Sequence, residues 1–140
     1  MNVFADTSGF FALMTRNDYM HVPAKENFNY FAKERASLLT SSFVLVETLA
    51  LLQRRIGLDP VHEFNAKIFP LLEVVWIDKQ WYLKGIQRIF SHGKRDLSLV
   101  DCLSFEIMES REISMVFTFD KHFSDYGFTI ADFNEKESSN

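Results

Sequence analysis

Asn2-Val3-Phe4-Ala5-Asp6-Thr7-Ser8-Gly9 is the stretch whose reading decides the fold. An apolar run stops abruptly at an acid, two hydroxyl residues and a glycine. That pattern reads as a short buried strand emptying into a turn, with a helix starting just beyond. In open α/β sheets ligands collect at the carboxyl ends of parallel strands, so an acid there stands where chemistry is usually found. Asp6 also has a purely structural reading, because Asp, Thr and Ser are all good helix N-caps. The rest of the chain separates the two.

Working outward, further strands are expected at Leu38–Thr40, Leu72–Ile77, Met115–Phe119 and Phe128–Ile130. Helices fall between them. Gly9–Met14 is a short one, and His21–Arg35 carries Pro23 in its first turn and Ala24, Phe28 and Phe31 on one face. A strong helix capped by Ser41 or Ser42 runs to Arg55 and stops at Gly57. Asp59-Pro60 opens another, which ends before Pro70, and Asp78 caps one that reaches about Phe90. A polar, basic loop from Ser91 to Arg95 leads to a helix over Leu99–Glu109. Strands alternating with helices predict a three-layer α/β/α sandwich around a parallel sheet of four or five strands. Right-handed crossovers then bring the acid-bearing strand ends to one edge. One domain is expected over 1–133, followed by a polar tail over 134–140.

Composition narrows the function classes. Net charge is −4, so no overall positive field marks a simple basic nucleic-acid module, although acids that hold cations can still meet phosphate. Cys102 is the single cysteine, which excludes a disulfide framework and a thiolate metal cluster and fits a reducing, cytosolic compartment. No run reaches the roughly 18 apolar residues of a membrane span. Fifteen Phe residues imply a bulky aromatic core, and equally an apolar face for a partner.

Several acids do not belong where they stand. Glu47 is the one charged residue in Phe43-Val44-Leu45-Val46-Glu47-Thr48-Leu49-Ala50-Leu51-Leu52, which predicts a carboxylate that is paired, protonated or bound to a cation. Asp101 follows Ser98 at capping-box spacing, a structural role that also aims it toward the strand ends. Asp120 repeats the opening pattern, closing the apolar run Val116-Phe117-Thr118-Phe119. Asp96 is a weaker candidate, better read as a loop or capping residue. If Asp6, Glu47, Asp101 and Asp120 converge, each pair about 5 Å apart costs roughly 3 kcal/mol at an effective dielectric near 20. A hard divalent cation relieves that, and an all-oxygen set suits Mg²⁺ or Mn²⁺. The four histidines show no metal-ligand spacing.

These residues, in this order, resemble a PIN domain, the nuclease fold of the VapC-type toxins. The matching pieces are Asp6-Thr7-Ser8, Glu47 in Val44-Leu45-Val46-Glu47-Thr48-Leu49, Leu97-Ser98-Leu99-Val100-Asp101, and Thr118-Phe119-Asp120-Lys121-His122-Phe123 leading to Gly127-Phe128. The turn Asp18-Tyr19-Met20-His21 resembles the loop after the family's first helix. The resemblance implies that Asp6, Glu47, Asp101 and Asp120 form an acidic quartet holding Mg²⁺ or Mn²⁺, with Thr7, Ser8 and Thr118 orienting ligands or water beside it. It implies hydrolysis of an RNA phosphodiester by in-line attack of water, giving a 5′-phosphate and a 3′-hydroxyl. Lys94, Arg95, Lys121 and His122 are candidates for steering the phosphate backbone, or are solvated loop charges. The family also implies a homodimer and a partner antitoxin that fills the acidic groove.

Two other acid-bearing folds fit less well. A phosphoaspartyl receiver needs paired acids after the first strand, and a haloacid-type phosphatase needs Asp-x-Asp, whereas Ser8 stands two residues after Asp6. The remaining alternatives share the fold: a non-catalytic RNA-binding or scaffolding module, or a structure-specific DNA nuclease.

Overall fold

The structure, a computed structural model, describes residues 1–134. The chain runs β1 (Asn2–Ala5), α1 (Thr7–Met14), α2 (His21–Lys33), β2 (Ser37–Ser41), α3 (Ser42–Arg55), α4 (Leu58–Glu63), β3 (Leu72–Val75), α5 (Lys79–His92), α6 (Leu99–Ser110), β4 (Met115–Phe117), α7 (His122–Asp125) and β5 (Thr129–Ile130). All five strands are parallel, in the order β3-β2-β1-β4-β5. From central β1 the chain steps outward to β2 and β3, then returns to add β4 and β5 on the other side. Right-handed crossovers therefore put α1 to α4 over one face and α5 to α7 over the other, the expected three layers. The direction reverses between β1 and β4, and the crevice at such a switch point is where open sheets take their ligands. The polar tail expected over 134–140 lies, from 135 onward, outside the described residues.

Seven of the fifteen Phe side chains are fully buried, which accounts for much of the aromatic excess. Phe10 meets Phe64 edge-on at 5.1 Å between ring centres and Phe117 at 6.4 Å, while on the other face Phe105 packs on Phe123 and Phe128. Gly9 sets how closely α1 sits on the sheet. A Cβ there would lie 2.5 Å from the Phe117 carbonyl oxygen, so the helix reaches the end of β4 only because the side chain is missing.

Several boundaries differ from the sequence reading, and two strand ends do so for a hydrogen-bonding reason. β4 stops at Phe117 rather than Phe119, because the Phe119 N–H donates to Ser8 Oγ and the Asp120 N–H to Thr118 Oγ1 in place of ladder partners. β3 stops at Val75 rather than Ile77, whose N–H donates to Ser42 Oγ at 2.9 Å. Gly57, at φ 138°, caps α4, so Asp59 sits inside the first turn and is not the cap. α7 was not expected; four residues are too few to show a period. Ser41, Asp78 and Ser98 cap their helices as read. Among the described residues no helix is long and apolar enough to cross a membrane.

Candidate active site

At the β1/β4 switch point a cleft of about 360 Å³ is lined by Asp6, Thr7, Ser8, Glu47, Asp101 and Asp120, together with Phe11, Asp18, Tyr19, Leu51, Arg55 and Phe119. The four acids singled out in the sequence thus share one cavity, though they reach it differently.

Asp6 occupies the N-cap position of α1 but its side chain makes no capping bond to the helix. It is buried, and its Oδ2 accepts from Thr118 Oγ1 at 2.8 Å and from Ser8 Oγ at 3.4 Å. The two hydroxyls are themselves held: the Phe119 N–H donates to Ser8 Oγ at 2.8 Å, the Asp120 N–H to Thr118 Oγ1 at 3.1 Å, and the Ser8 and Thr118 oxygens are 2.9 Å apart. The Asp6 N–H donates to the Phe117 carbonyl, fixing the backbone as well. Burial pushes the Asp6 carboxyl up to about 7; the Thr118 hydroxyl opposes this, and the charges of Asp101 and Glu47 add to it.

Asp101 forms the capping box with Ser98: its N–H donates to Ser98 Oγ at 3.1 Å and its Oδ2 accepts from the Ser98 N–H at 3.4 Å. Burial again raises this carboxyl, helped by the charge of Asp120 and opposed by the Ser98 hydrogen bonds. Asp120 Oδ1 accepts from the His122 N–H at 2.9 Å, and His122 Nδ1 is 3.2 Å from the same oxygen. The other ring nitrogen lies 3.3 Å from Asp96 Oδ2. His122 is thus engaged with acids rather than turned to solvent as a phosphate contact, and Asp96 enters the neighbourhood through it.

Glu47 needs a correction. It is exposed, as is Val46, while Val44, Leu45, Thr48 and Leu52 of the same helix are buried. Its apolar neighbours in sequence point to other faces, so it is not a carboxylate trapped in the core; it stands on the cleft wall with Leu51 and Arg55 at helical spacing. Lys94, Arg95 and Lys121 are exposed and do not line the cleft, and the Lys94 ammonium stands over the Tyr126 ring. The cation that lines it is Arg55, which the sequence reading passed over as an ordinary residue of the last helical turn.

The cleft's donors fit a divalent cation, but the tightest group among the described residues has an imidazole beside two carboxylates and leaves Asp6 and Glu47 outside it, unlike the all-oxygen quartet expected from the sequence. Asp101, Asp120 and His122 each offer a ligand atom within 4.8 Å of the others. Thr7 Oγ1 and His122 Nδ1 are buried atoms without a hydrogen-bond partner among the described residues. Carboxylates crowded together with two of them raised are a site short of positive charge.

An acidic cleft at the switch point of a five-stranded parallel sheet fits a nuclease-type α/β domain, and comparison makes the class specific. The sequence matches the PIN domain model over residues 3–129, and the chain belongs to the PIN domain family. It is 31% identical over 127 residues to the 23S rRNA-specific endonuclease VapC20 of Mycobacterium tuberculosis, a match covering 90% of this chain and 95% of that one. The crystal structure of that VapC20, a sarcin–ricin loop cleaving toxin, superposes with a TM-score of 0.81 at 30% identity, covering 93% of this chain and 98% of the other. VapBC2 from Rickettsia felis, solved on a DNA fragment from its promoter, shares the fold at a TM-score of 0.65 and 15% identity, with 96% of this chain and all of that one covered.

Proposed function

We propose that this protein is a divalent-cation-dependent endoribonuclease of the toxin type whose substrate is a structured loop of ribosomal RNA, as for VapC20. The supporting observation is the convergence of Asp6, Glu47, Asp101 and Asp120 on one cleft where their charge is uncompensated. Asp6, Asp101 and Asp120 would hold the cation from the sheet side and Glu47 from the α3 wall. A bound cation supplies charge neutralisation for the phosphate and for the entering and leaving oxygens. Thr118 and Ser8 hold Asp6 in one orientation, and His122 does the same for Asp120. Glu47, exposed and outside that network, adjusts to the substrate. An antitoxin that blocks the cleft and a homodimer belong to the same reading, as does action in the cytoplasm.

The test is cleavage of purified ribosomal RNA by the full chain with Mn²⁺ or Mg²⁺. Loss of cleavage in Asp6→Asn and Glu47→Gln supports the proposal. Undiminished cleavage in both would remove it, and cation-resistant binding without cleavage would point to the scaffolding alternative. Preference for branched DNA over RNA would favour the DNA nuclease.

A further inference from the structure

Glu47, Leu51 and Arg55 form one stripe of α3 along the cleft, and two turns of helix carry Arg55 about 12 Å beyond Glu47. Arg55 therefore stands at the far end of the stripe from Glu47. Arg55 nevertheless lines the same cleft, is exposed, and pairs with no carboxylate among the described residues. Its guanidinium stands 5.8 Å from the centre of the Phe11 ring, an arrangement that steadies the head while leaving its donors open. Tyr19 also borders the cleft. Its side chain is 90% exposed, yet its backbone is pinned: the Met20 N–H donates to Asp18 Oδ2 at 2.9 Å, the Asp18 N–H to the Thr15 carbonyl and the His21 N–H to the Asp18 carbonyl, both at 3.0 Å. His21 Nδ1 lies 2.9 Å from the Ala12 carbonyl and ties the loop back to α1. A large aromatic held in water on a fastened loop, with a free guanidinium in the same cleft, matches what single-stranded RNA needs: a face for an unstacked base and a fork for a phosphate.

We infer that Tyr19 and Arg55 form a nucleotide subsite beside the acids, in which Tyr19 stacks one splayed base and Arg55 takes the phosphate of a nucleotide next to the cleaved bond. This rests on the RNA reading above and adds how the strand is seated. The subsite selects unpaired RNA, because a base locked in a duplex cannot turn onto the Tyr19 ring.

The experiment uses the full chain in Mn²⁺ with purified ribosomal RNA as cleavage substrate and, for binding and cleavage, RNA stem-loop oligonucleotides carrying one 2-aminopurine in the unpaired loop. Cleavage is followed with the wild type, and binding with Asp6→Asn as the non-cleaving background. Tyr19→Ala is expected to raise KM about 10-fold with kcat within twofold, and to abolish the 2-aminopurine quench, whereas Tyr19→Phe restores both. Arg55→Ala is expected to raise KM about 10-fold and lower the slope of log affinity against log salt by about 0.7, the loss of one single-strand phosphate contact. Both residues are exposed, so unchanged melting temperatures confirm that these variants fold. Wild-type cleavage with unaltered KM and quench in Tyr19→Ala and Arg55→Ala overturns the subsite. Absence of wild-type cleavage together with a Tyr19-dependent quench supports the subsite and sinks the nuclease reading instead. A Tyr19 or Arg55 effect confined to binding of an acidic peptide, with RNA untouched, also overturns it.

Discussion

Two groups of acids in this molecule make an instructive pair. On the α5–α6 side, Glu106 and Glu109 flank Arg88, whose guanidinium reaches them at 3.2 and 2.8 Å and lies over the Phe105 ring. Its hydrogen bonds hold the Glu109 carboxyl below its ordinary value. At the β1/β4 edge, Asp6 and Asp101 are pushed the opposite way, because burial takes water from them and the nearest charges are negative. The first group carries its own counterion; for the second, the proposed cation would supply it. Like acids therefore become structural or functional according to whether the fold supplies the positive charge.

The largest effect should come from Asp6. Asp6→Asn is expected to reduce RNA cleavage at least 1,000-fold, of the order seen when a group acting on the transition state is removed. It should also make the cation-free protein more stable at pH 8, which a damaged fold would not do; thermal melting of both proteins checks it.

The pH dependence sharpens the same contrast. Asp6 titrates near 7 when folded and near 3.8 when unfolded, so the folded state binds the extra proton between those values. Stability of the cation-free protein should then fall as pH rises from about 4 to about 7, by up to about 4 kcal/mol from this group. Mn²⁺ should raise the melting temperature far more at pH 8 than at pH 5. An equal shift at both would disconnect Asp6 from the cation.

Arg88→Ala tests the other group. Leaving two glutamates beside an uncovered Phe105 should cost about 1–2 kcal/mol, since Glu109 is half in solvent. Cleavage should stay within twofold, as read by turnover at saturating RNA. Smallest of all, Lys121→Ala should change neither stability nor turnover measurably, because the side chain is exposed and does not line the cleft.

Much of this was legible in the chain. Each strand with an acid or hydroxyl cluster just past it announced an edge, and Ser41, Asp78 and Ser98 could be read as caps because capping uses neighbours in sequence. What escaped depended on angle and distance. Glu47 looked trapped when its neighbours were counted along the chain, but a helix turns successive residues to different faces, and Val46 and Glu47 turn outward. Arg55 stood only as the end of its helix and His122 as a candidate phosphate contact, since nothing local reveals that the first lines the cleft and the second faces Asp96 and Asp120.

The bond from Thr118 to Asp6 joins residues 112 positions apart. A ribosome making this protein releases Asp6 and Glu47 long before Asp101 and Asp120 exist, and β1 cannot gain β4 as a neighbour until then. An unfinished chain therefore lacks the assembled acidic cleft, which closes up only when the late strand docks beside the first.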